Sequence, residues 1–377
     1  MQLPRADVDP DGLLEYSVVF SDRSLNHMSR RFVGVMQEIV EVLRDTYHAD
    51  AVAVVPGGGT FAMEAVARQL ATGRRVLVLR NGFFSYRWSQ IFEAGSIPSA
   101  VTVCKARPDS PAVDASWSPA PIEEVVETIR RERPEVVFAA HVETASGILL
   151  PDAYVEALGR ATREVGGLLV LDCIASGAMW VDMATAGVDV LLSAPQKGWS
   201  GSPGAGFVML GERGRAAVEG SRSTSFAADL RTWLSVTDAY VEGRATYHAT
   251  LPTDGLAHNA AVMRETYDRG LEVVRAAQAD LGARVRALLA ERGFVSVAAP
   301  GFEAPGVVVV HTDDPALQST ARFREVGIQA AAGVPLQCDE PAGYSTFRIG
   351  LFGLDKLADV DGTVARLAAG LDRLGIR

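Results

Sequence analysis

A lysine and an aspartate, each placed after an apolar run, have the types and spacing that best support chemistry in this chain. Lys197 stands in the stretch 193–199, directly after the apolar run 188–192. Asp172, 25 positions earlier (197 minus 172), ends the apolar run 168–172. An amine attacks a carbonyl only when it is neutral, so burial and neighbouring charge must lower the pKa of such a lysine.

The pair suits an aldehyde cofactor built on a pyridine ring. Lys197 would bind pyridoxal 5′-phosphate (PLP) as an imine, and Asp172 would keep the ring nitrogen protonated, which lets the ring accept electrons from a substrate carbanion. Neither residue is informative alone, because a lysine after a strand is commonly a surface residue and an aspartate there is commonly a helix N-cap. Together they predict a PLP enzyme.

Composition limits the class of protein. With 377 residues, of which 48% are hydrophobic and 22% charged, the chain is globular and long enough for two domains. Its net charge of −10 argues against nucleic acid or an anionic membrane as the main partner. The three cysteines show neither disulfide nor metal-ligand spacing. Residues 1–7 lack a secretory pattern, and no apolar run approaches the ~18 residues of a membrane span, so we expect a soluble cytoplasmic protein. The cysteine spacing leads us to expect no bound metal.

Strand-like apolar runs alternate with amphipathic helical stretches through the first two thirds of the chain. Strands are predicted at 51–55, 75–79, 136–140, 168–172, 188–193 and 206–210. Helices are predicted at 30–47, from 61, at 121–133 and at 152–165. Apolar strands separated by helices favour an α/β fold with a largely parallel sheet covered on both faces. Ligands of such sheets lie beyond the carboxyl ends of the strands, where Lys197 and Asp172 both stand.

The last third predicts a second, smaller α/β domain. One long helical segment is expected from about 255 to 292, and the composition then changes. Strands and helices are expected at 306–311, 316–326, 346–351 and from 354. We therefore divide the chain into a large PLP-binding domain with an N-terminal segment, 1–255, and a small C-terminal domain, 256–377, joined by the long helix.

The loop 56–60, Pro-Gly-Gly-Gly-Thr, opens a helix after a strand and is a natural phosphate cradle. No Gly-Lys-Ser/Thr follows, so it is not a Walker A loop. Gly57, Gly59 and Ala62 match the dinucleotide spacing, but Leu-Arg-Asn at 79–81 replaces the expected ribose-binding acid. An NADP-dependent oxidoreductase and a plain tight turn without a ligand both stay open at this point.

With the glycine loop, aspartate and lysine in this order, the chain resembles the class V aminotransferases of fold type I, and in particular the alanine–glyoxylate and serine–pyruvate group. The resemblance covers almost the whole length. It implies a large domain with a mostly parallel seven-stranded sheet covered by helices and a smaller C-terminal α/β domain. It also implies PLP as cofactor.

Several separate motifs carry this resemblance on the cofactor side. Gly58, Gly59 and Thr60 fall where the family binds the phosphate. The stretch 81–87 resembles the family's Gly-x-Trp-x-x-Arg segment, which puts Phe84 where an aromatic ring stacks on the pyridine. The stretch 141–147 resembles a Gly-Glu-x-Ser/Thr-x-Gly region, in which Thr144 would hydrogen-bond the phenolic oxygen.

The remaining motifs follow in chain order. The resemblance places Ile174 on the ring face opposite Phe84 and Gln196 on the phosphate side. Tyr247 and Thr250 belong to a Tyr-x-x-Thr-x-Pro element and would reach the phosphate site of a neighbouring subunit, which implies a homodimer with shared active sites. Arg348, in a Phe-Arg-Ile-Gly strand, would hold the substrate carboxylate; an unpaired cation in an apolar strand needs such a partner.

The resemblance implies a transaminase that moves an amino group between an alanine- or serine-like donor and a glyoxylate- or pyruvate-like 2-oxo acid. The reaction would be ping-pong through pyridoxamine phosphate, with Lys197 as general base. A PLP-dependent lyase or retro-aldol enzyme is the first alternative. The chain departs from the family at 8–12, where a Pro-Gly-Pro stretch is usual. Cys338 has acidic neighbours, which argues against desulfurase chemistry.

Overall fold

The computed structural model describes residues 8–9 and 12–376. Residues 1–7, for which we expected no secretory pattern, lie outside this part of the chain. Pro10 and Asp11, in the region that departs from the family, also lie outside it. Within it, no helix is both long and apolar enough to cross a membrane.

Helices and strands alternate along the chain. The helices are α1 Arg30–Tyr47, α2 Gly59–Leu70, α3 Phe83–Gly95, α4 Ile122–Glu132, α5 Asp152–Glu164, α6 Met183–Ala186, α7 Glu212–Glu219, α8 Leu230–Val241, α9 Thr253–Asp268, α10 Leu271–Glu291, α11 Pro315–Gln318, α12 Ala321–Glu325, α13 Leu354–Ala358 and α14 Val360–Arg373. The strands are β1 Ala51–Pro56, β2 Arg75–Arg80, β3 Ala100–Lys105, β4 Arg107–Pro108, β5 Trp117–Ser118, β6 Val136–Ala140, β7 Val142–Glu143, β8 Ile148–Leu149, β9 Leu168–Asp172, β10 Val190–Ser193, β11 Ala205–Leu210, β12 Val307–His311, β13 Ala331–Ala332 and β14 Thr346–Gly350.

The main sheet has seven strands in the order β1-β11-β10-β9-β6-β2-β3. Strands β10, β9, β6, β2 and β3 run parallel to one another, and β11 runs antiparallel to both β1 and β10. Strands β6, β9, β10 and β11 are buried along their whole length, as an apolar run covered by helices on both faces requires. The predicted α/β fold with a mostly parallel seven-stranded sheet is confirmed.

Several elements of this region were not predicted from the sequence, and β3 and α3 are two of them. Strand β3, at the sheet edge, is exposed or half-buried throughout, so its residues lack the apolar run that marks the inner strands. Helix α3 begins with aromatic residues that also form a motif, and its helical period is weak by comparison with that of α1. Both elements form because neighbouring parts of the sheet and its helices hold them in place.

The smaller sheet has three antiparallel strands in the order β12-β14-β13. Side chains of α10 and α14 pack with β12 and β14 in one apolar cluster that includes Leu281, Phe347 and Leu371. All three strands lie C-terminal to residue 255. The division at 255/256 nevertheless stays a prediction.

The single long helix expected from 255 to 292 is wrong. The structure has two helices, α9 and α10, separated by Arg269 and Gly270. Gly270 adopts a φ of 89°, a left-handed conformation that stops α9 and that a side-chain-bearing residue rarely adopts. The helix expected at 316–326 is likewise two short helices, α11 and α12.

Candidate active site

Asp172 lies at the carboxyl end of β9, in the middle of the large sheet. Its neighbours in register are Ala140 on β6 and Leu192 on β10. The side chain is 7% exposed, and Oδ1 accepts a hydrogen bond of 2.9 Å from the backbone N–H of Ile174. Burial raises the pKa of Asp172 to about 6. A buried carboxylate with this single hydrogen bond needs a cationic partner to stay ionised at neutral pH.

Lys197 lies in the connection between β10 and β11, which we call the lysine loop (residues 194–204). Trp199 anchors this loop: its ring is fully buried, with its centroid 4.6 Å from that of Trp180. A Cβ at Gly198 would overlap the carbonyl oxygen of Gly177, so the backbone beside the lysine is closely packed. The chain on both sides of Lys197 is therefore held in one place.

The Lys197 amine is half-buried, and its Nζ atom lies 5.5 Å from the centroid of the Phe352 ring. Burial lowers its pKa, and the charge of Arg348 lowers it further, while Asp172 acts in the opposite direction. The two residues nominated from the sequence thus influence each other electrostatically. A lowered pKa is what an amine needs to act as nucleophile or base near neutral pH.

The predicted phosphate loop forms a tight connection from β1 into α2. Gly57 and Gly58 have φ values of 113° and 145°, a backbone region that favours glycine. Gly59 approaches the site itself, since a Cβ there would lie 2.6 Å from Cδ1 of Ile174. The N–H groups of Phe61 and Ala62 donate to the carbonyl of Gly58, which leaves the amides of Gly59 and Thr60, at the start of α2, available to an anion. Thr60 is exposed there.

Phe84 lies in the first turn of α3, and Glu143 holds that turn. The fully buried Glu143 carboxylate accepts hydrogen bonds from the backbone N–H of Ser85 at 2.8 Å and from its Oγ at 2.7 Å. It also accepts hydrogen bonds from the N–H of Phe84 at 3.3 Å and of Ala145 at 2.9 Å. Ala145 follows Thr144, so one carboxylate connects two segments that were nominated separately.

Arg348 lies on β14 and reaches the turn that connects β7 to β8. Its Nε donates to the carbonyl of Ala332 at 2.8 Å, and its Nη1 donates to the carbonyl of Thr144 at 3.4 Å. Its Cζ is 5.5 Å from the centroid of the Phe84 ring. Burial lowers the pKa of Arg348. Within the described residues, no carboxylate lies within 4.0 Å of this guanidinium.

The remaining nominated residues are solvent-facing. Gln196 and Thr250 are exposed, and Tyr247 is 53% exposed. The hydroxyls of Tyr247 and Thr250 lie 3.3 Å apart, in a stretch that we call the tyrosine segment (residues 246–252). Among the described residues, the hydrogen bonds and ring contacts of this segment do not include Lys197, Asp172 or the glycine loop.

Sequence reasoning missed Glu143 and Arg87 as parts of the site, although both fell inside quoted motifs. Arg87 donates from Nη1 to Oγ1 of Thr60 at 3.0 Å, and its Cζ lies 5.1 Å from the centroid of the Phe84 ring. Only the fold reveals these contacts, because each joins distant parts of the chain. The sequence offered two signals: Glu143 is a charged residue next to an apolar strand, and Arg87 follows several aromatic residues.

These residues fit the cofactor that the sequence predicts. The buried Asp172 carboxylate matches a protonated ring nitrogen, which would supply the missing countercharge. Gly59 packs so closely on Ile174 that the two together form one wall of the site. Phe84 offers an aromatic face, and the start of α2 offers amides to a phosphate.

Comparison with known proteins agrees with this geometry. Residues 13–360 match the family model described as aminotransferase class-V. The chain therefore belongs to the class V aminotransferases. It is a PLP-dependent enzyme that transfers an amino group between an amino acid and a 2-oxo acid. The match favours a PLP enzyme over an NADP-dependent oxidoreductase, and transamination over the lyase alternative.

Two relatives have similar lengths. The 2-aminoethylphosphonate–pyruvate transaminase 2 of Paraburkholderia xenovorans (strain LB400) is 31% identical over 374 residues, which cover 94% of this chain and 91% of that protein. The 2-aminoethylphosphonate–pyruvate transaminase of Burkholderia thailandensis is 31% identical over 348 residues, which cover 89% of this chain and 87% of that protein.

Solved structures share the fold. The aspartate aminotransferase of Thermus thermophilus that belongs to subgroup IV superposes with a TM-score of 0.75 at 26% identity and covers 93% of both chains. The alanine–glyoxylate aminotransferase of Nostoc sp. also gives a TM-score of 0.75, at 22% identity, and covers 92% of this chain and 88% of that one. The second likeness bears on the fold alone.

Proposed function

We propose that Lys197, Asp172 and Arg348 form the reaction centre of this transaminase, which uses a pyruvate-like 2-oxo acid as amino acceptor. One observation carries the assignment. A half-buried lysine with a lowered pKa and a buried aspartate share one end of the sheet, and an arginine without a carboxylate partner among the described residues acts on the same amine.

When bound, PLP supplies an aldehyde that captures amino nitrogens and a protonated ring that withdraws electrons. Lys197 Nζ takes the proton from the substrate Cα and returns a proton when the second substrate reacts. Asp172 would keep the ring nitrogen protonated. Phe84 and Ile174 would hold the ring, and Thr144 would hydrogen-bond its phenolic oxygen. Gly58, Gly59, Thr60 and Gln196 would bind the phosphate.

Arg348 selects for a carboxylate next to the reacting carbon. A guanidinium forms two parallel hydrogen bonds with a carboxylate, which fixes both position and orientation. By fixing the carboxylate, Arg348 would orient the substrate so that its Cα–H bond is the one that the cofactor weakens. A 2-oxo acid such as pyruvate or glyoxylate carries the required carboxylate.

The amino donor is the less constrained partner. Alanine or serine presents the same carboxylate to Arg348, whereas 2-aminoethylphosphonate would present a phosphonate. The names of the 31% identical relatives support pyruvate as acceptor and 2-aminoethylphosphonate as a donor to be tested beside alanine and serine.

The test is spectroscopic. Purified protein incubated with PLP should show a band near roughly 420 nm that a productive donor converts to the pyridoxamine form. Lys197→Ala should abolish the band and nearly all turnover. Arg160→Gln, an exposed arginine on α5 that serves as matched control, should change neither. A Lys197→Ala variant that keeps both the band and the turnover contradicts the assignment.

We also propose that Tyr247 and Thr250 act on the phosphate site of a second copy of the chain. Their exposure and the absence of contacts with Lys197, Asp172 or the glycine loop of their own chain support this. Co-expression of a Lys197→Ala chain with a Tyr247→Phe/Thr250→Ala chain tests the idea. If the sites are shared, the mixed dimer contains one intact site and regains activity; if Tyr247 and Thr250 act within their own chain, no site is intact.

A further inference from the structure

We propose that Arg87 is the cation that neutralises the cofactor phosphate, reaching it from helix α3 rather than from the glycine loop. The inference rests on the proposed function, since it takes the start of α2 to be the phosphate site. It adds a binding residue for which the sequence analysis proposed no role.

The residues proposed so far to bind the phosphate cannot supply the positive charge that would neutralise it. All six are neutral: Gly58, Gly59, Thr60, Gln196, Tyr247 and Thr250. A phosphate monoester carries close to two negative charges at neutral pH. The end of a helix offers the equivalent of roughly half a positive charge. A site that excludes water from a dianion with so little countercharge would bind it weakly.

Arg87 is placed to supply the missing charge. Its guanidinium donates to Oγ1 of Thr60, the second residue of α2, with an N···O distance of 3.0 Å. Arginine has five N–H donors, and its planar geometry suits phosphate oxygens. This hydrogen bond places the guanidinium beside the start of α2 and uses only one of its donors.

No protein anion competes for this guanidinium. In the part of the chain that the structure describes, no carboxylate lies within 4.0 Å of Arg87, whereas many arginines of this protein are in ion pairs. Its positive charge opposes part of the rise in the pKa of Asp172 and adds to the lowering of the pKa of Lys197. Arg87 is therefore an unneutralised cation at the site.

The plainer alternative is that Arg87 only supports Phe84. Its Cζ lies 5.1 Å from the Phe84 ring centroid, close enough for a cation–π contact. That role concerns the pyridine ring and is independent of the phosphate. The two roles are separable, because pyridoxal has the same ring and aldehyde as PLP but no phosphate.

The experiment measures equilibrium binding to apoprotein by absorbance titration, with PLP and with pyridoxal as separate probes. Wild type is compared with Arg87→Gln, Arg87→Lys and the exposed control Arg160→Gln. We expect Arg87→Gln to weaken PLP binding roughly 10- to 100-fold, the value of a charge-assisted hydrogen bond, and to leave pyridoxal binding within about twofold. Arg87→Lys should recover part of the loss, and inorganic phosphate should compete with PLP less well in Arg87→Gln than in wild type.

Other results would overturn the inference in recognisable ways. Equal loss of PLP and pyridoxal binding would assign Arg87 to the support of Phe84. Unchanged PLP binding in Arg87→Gln would remove it from the site. Wild type that binds neither probe would instead refute the proposed function, so the two failures are distinct. Melting curves of the apoproteins confirm that each variant is folded.

Discussion

The lysine loop and the tyrosine segment were both predicted to bind the cofactor, but they differ in how far their side chains are buried. In the lysine loop, Trp199 is fully buried and Gly198 is packed against the Gly177 carbonyl. In the tyrosine segment, Tyr247 is 53% exposed and forms its side-chain hydrogen bond with Thr250 three residues away. One region is organised by the core of its own chain, and the other faces outward.

The difference separates two ways of positioning a functional group. Close packing fixes Lys197 before any ligand arrives, so changes near it should alter catalysis in the isolated chain. An exposed hydroxyl is fixed only when a partner binds, so changes at Tyr247 should depend on assembly. The following predictions test this comparison.

The largest effect on turnover is expected for Asp172→Asn, a change to a group that is buried in the core of its own chain. The amide cannot hold the ring nitrogen protonated, so turnover should fall on the order of 10³-fold, as for loss of a preorganised electrostatic group. The measurement is single-turnover conversion of the roughly 420 nm band with a saturating donor. Turnover within about threefold of wild type would remove Asp172 from the mechanism.

The same variant should stabilise the apoprotein. The folded-state pKa of Asp172 is raised from an ordinary 3.8 to about 6, so the folded state favours the protonated carboxyl. This contribution to stability is fully present below pH 3.8 and is lost as the pH rises through about 6, because the buried group must then ionise. Asp172→Asn should therefore gain up to about 3 kcal/mol above pH 6 and nothing near pH 3.8. Urea unfolding of apoprotein at several pH values measures this, and a gain that is independent of pH would contradict it.

An intermediate effect is expected for Gly198→Ala. The added Cβ would overlap the Gly177 carbonyl oxygen, so the lysine loop must shift. A displacement of about 1 Å at Lys197 should cost on the order of 10²-fold in kcat, with an overpacking cost of about 1–3 kcal/mol in unfolding free energy. Gly255→Ala is the matched control, because a Cβ there meets no atom within 4 Å. Equal kinetics in the two variants would mean that the loop is not tightly held.

A smaller effect is expected for Glu143→Gln. The amide keeps one acceptor oxygen but places a donor among backbone N–H groups, which should cost about 1–3 kcal/mol of stability and loosen the turn that carries Phe84. The absorbance and circular dichroism of bound PLP report on the ring stacking directly. Glu219→Gln, in an exposed ion pair, is the control. An unchanged cofactor spectrum would show that Glu143 does not position Phe84.

The smallest effect in the isolated chain is expected for Tyr247→Phe. Removal of an exposed hydroxyl should change the unfolding free energy by less than about 0.5 kcal/mol. PLP retention should fall by less than about tenfold, and the loss should be seen only at protein concentrations at which the chain is dimeric. Size-exclusion chromatography with absorbance detection measures both quantities together. An equal loss in the monomer would place Tyr247 in the site of its own chain.

Much of the architecture was predictable because local periodicity carries it. The inner strands are largely apolar runs of four to six residues, and β6, β9 and α1 begin and end at the predicted residues. The sheet edge and the helix break could not be predicted in the same way. Strand β3 is stabilised by pairing with β2, and the break at Gly270 depends on a backbone conformation that a glycine permits but does not require.

The amino-acid sequence by itself determined the chemistry, because residue type and local period are properties of short segments. The informative features were a lysine and an aspartate at strand ends, a glycine loop before a helix and an arginine in an apolar strand. Only the tertiary structure decided how these groups support one another. Glu143 accepts a hydrogen bond from Ser85, 58 positions away, and Nη1 of Arg87 lies 3.0 Å from Oγ1 of Thr60, 27 positions away. Such contacts depend on how helices pack on the sheet, which is a property of the whole core.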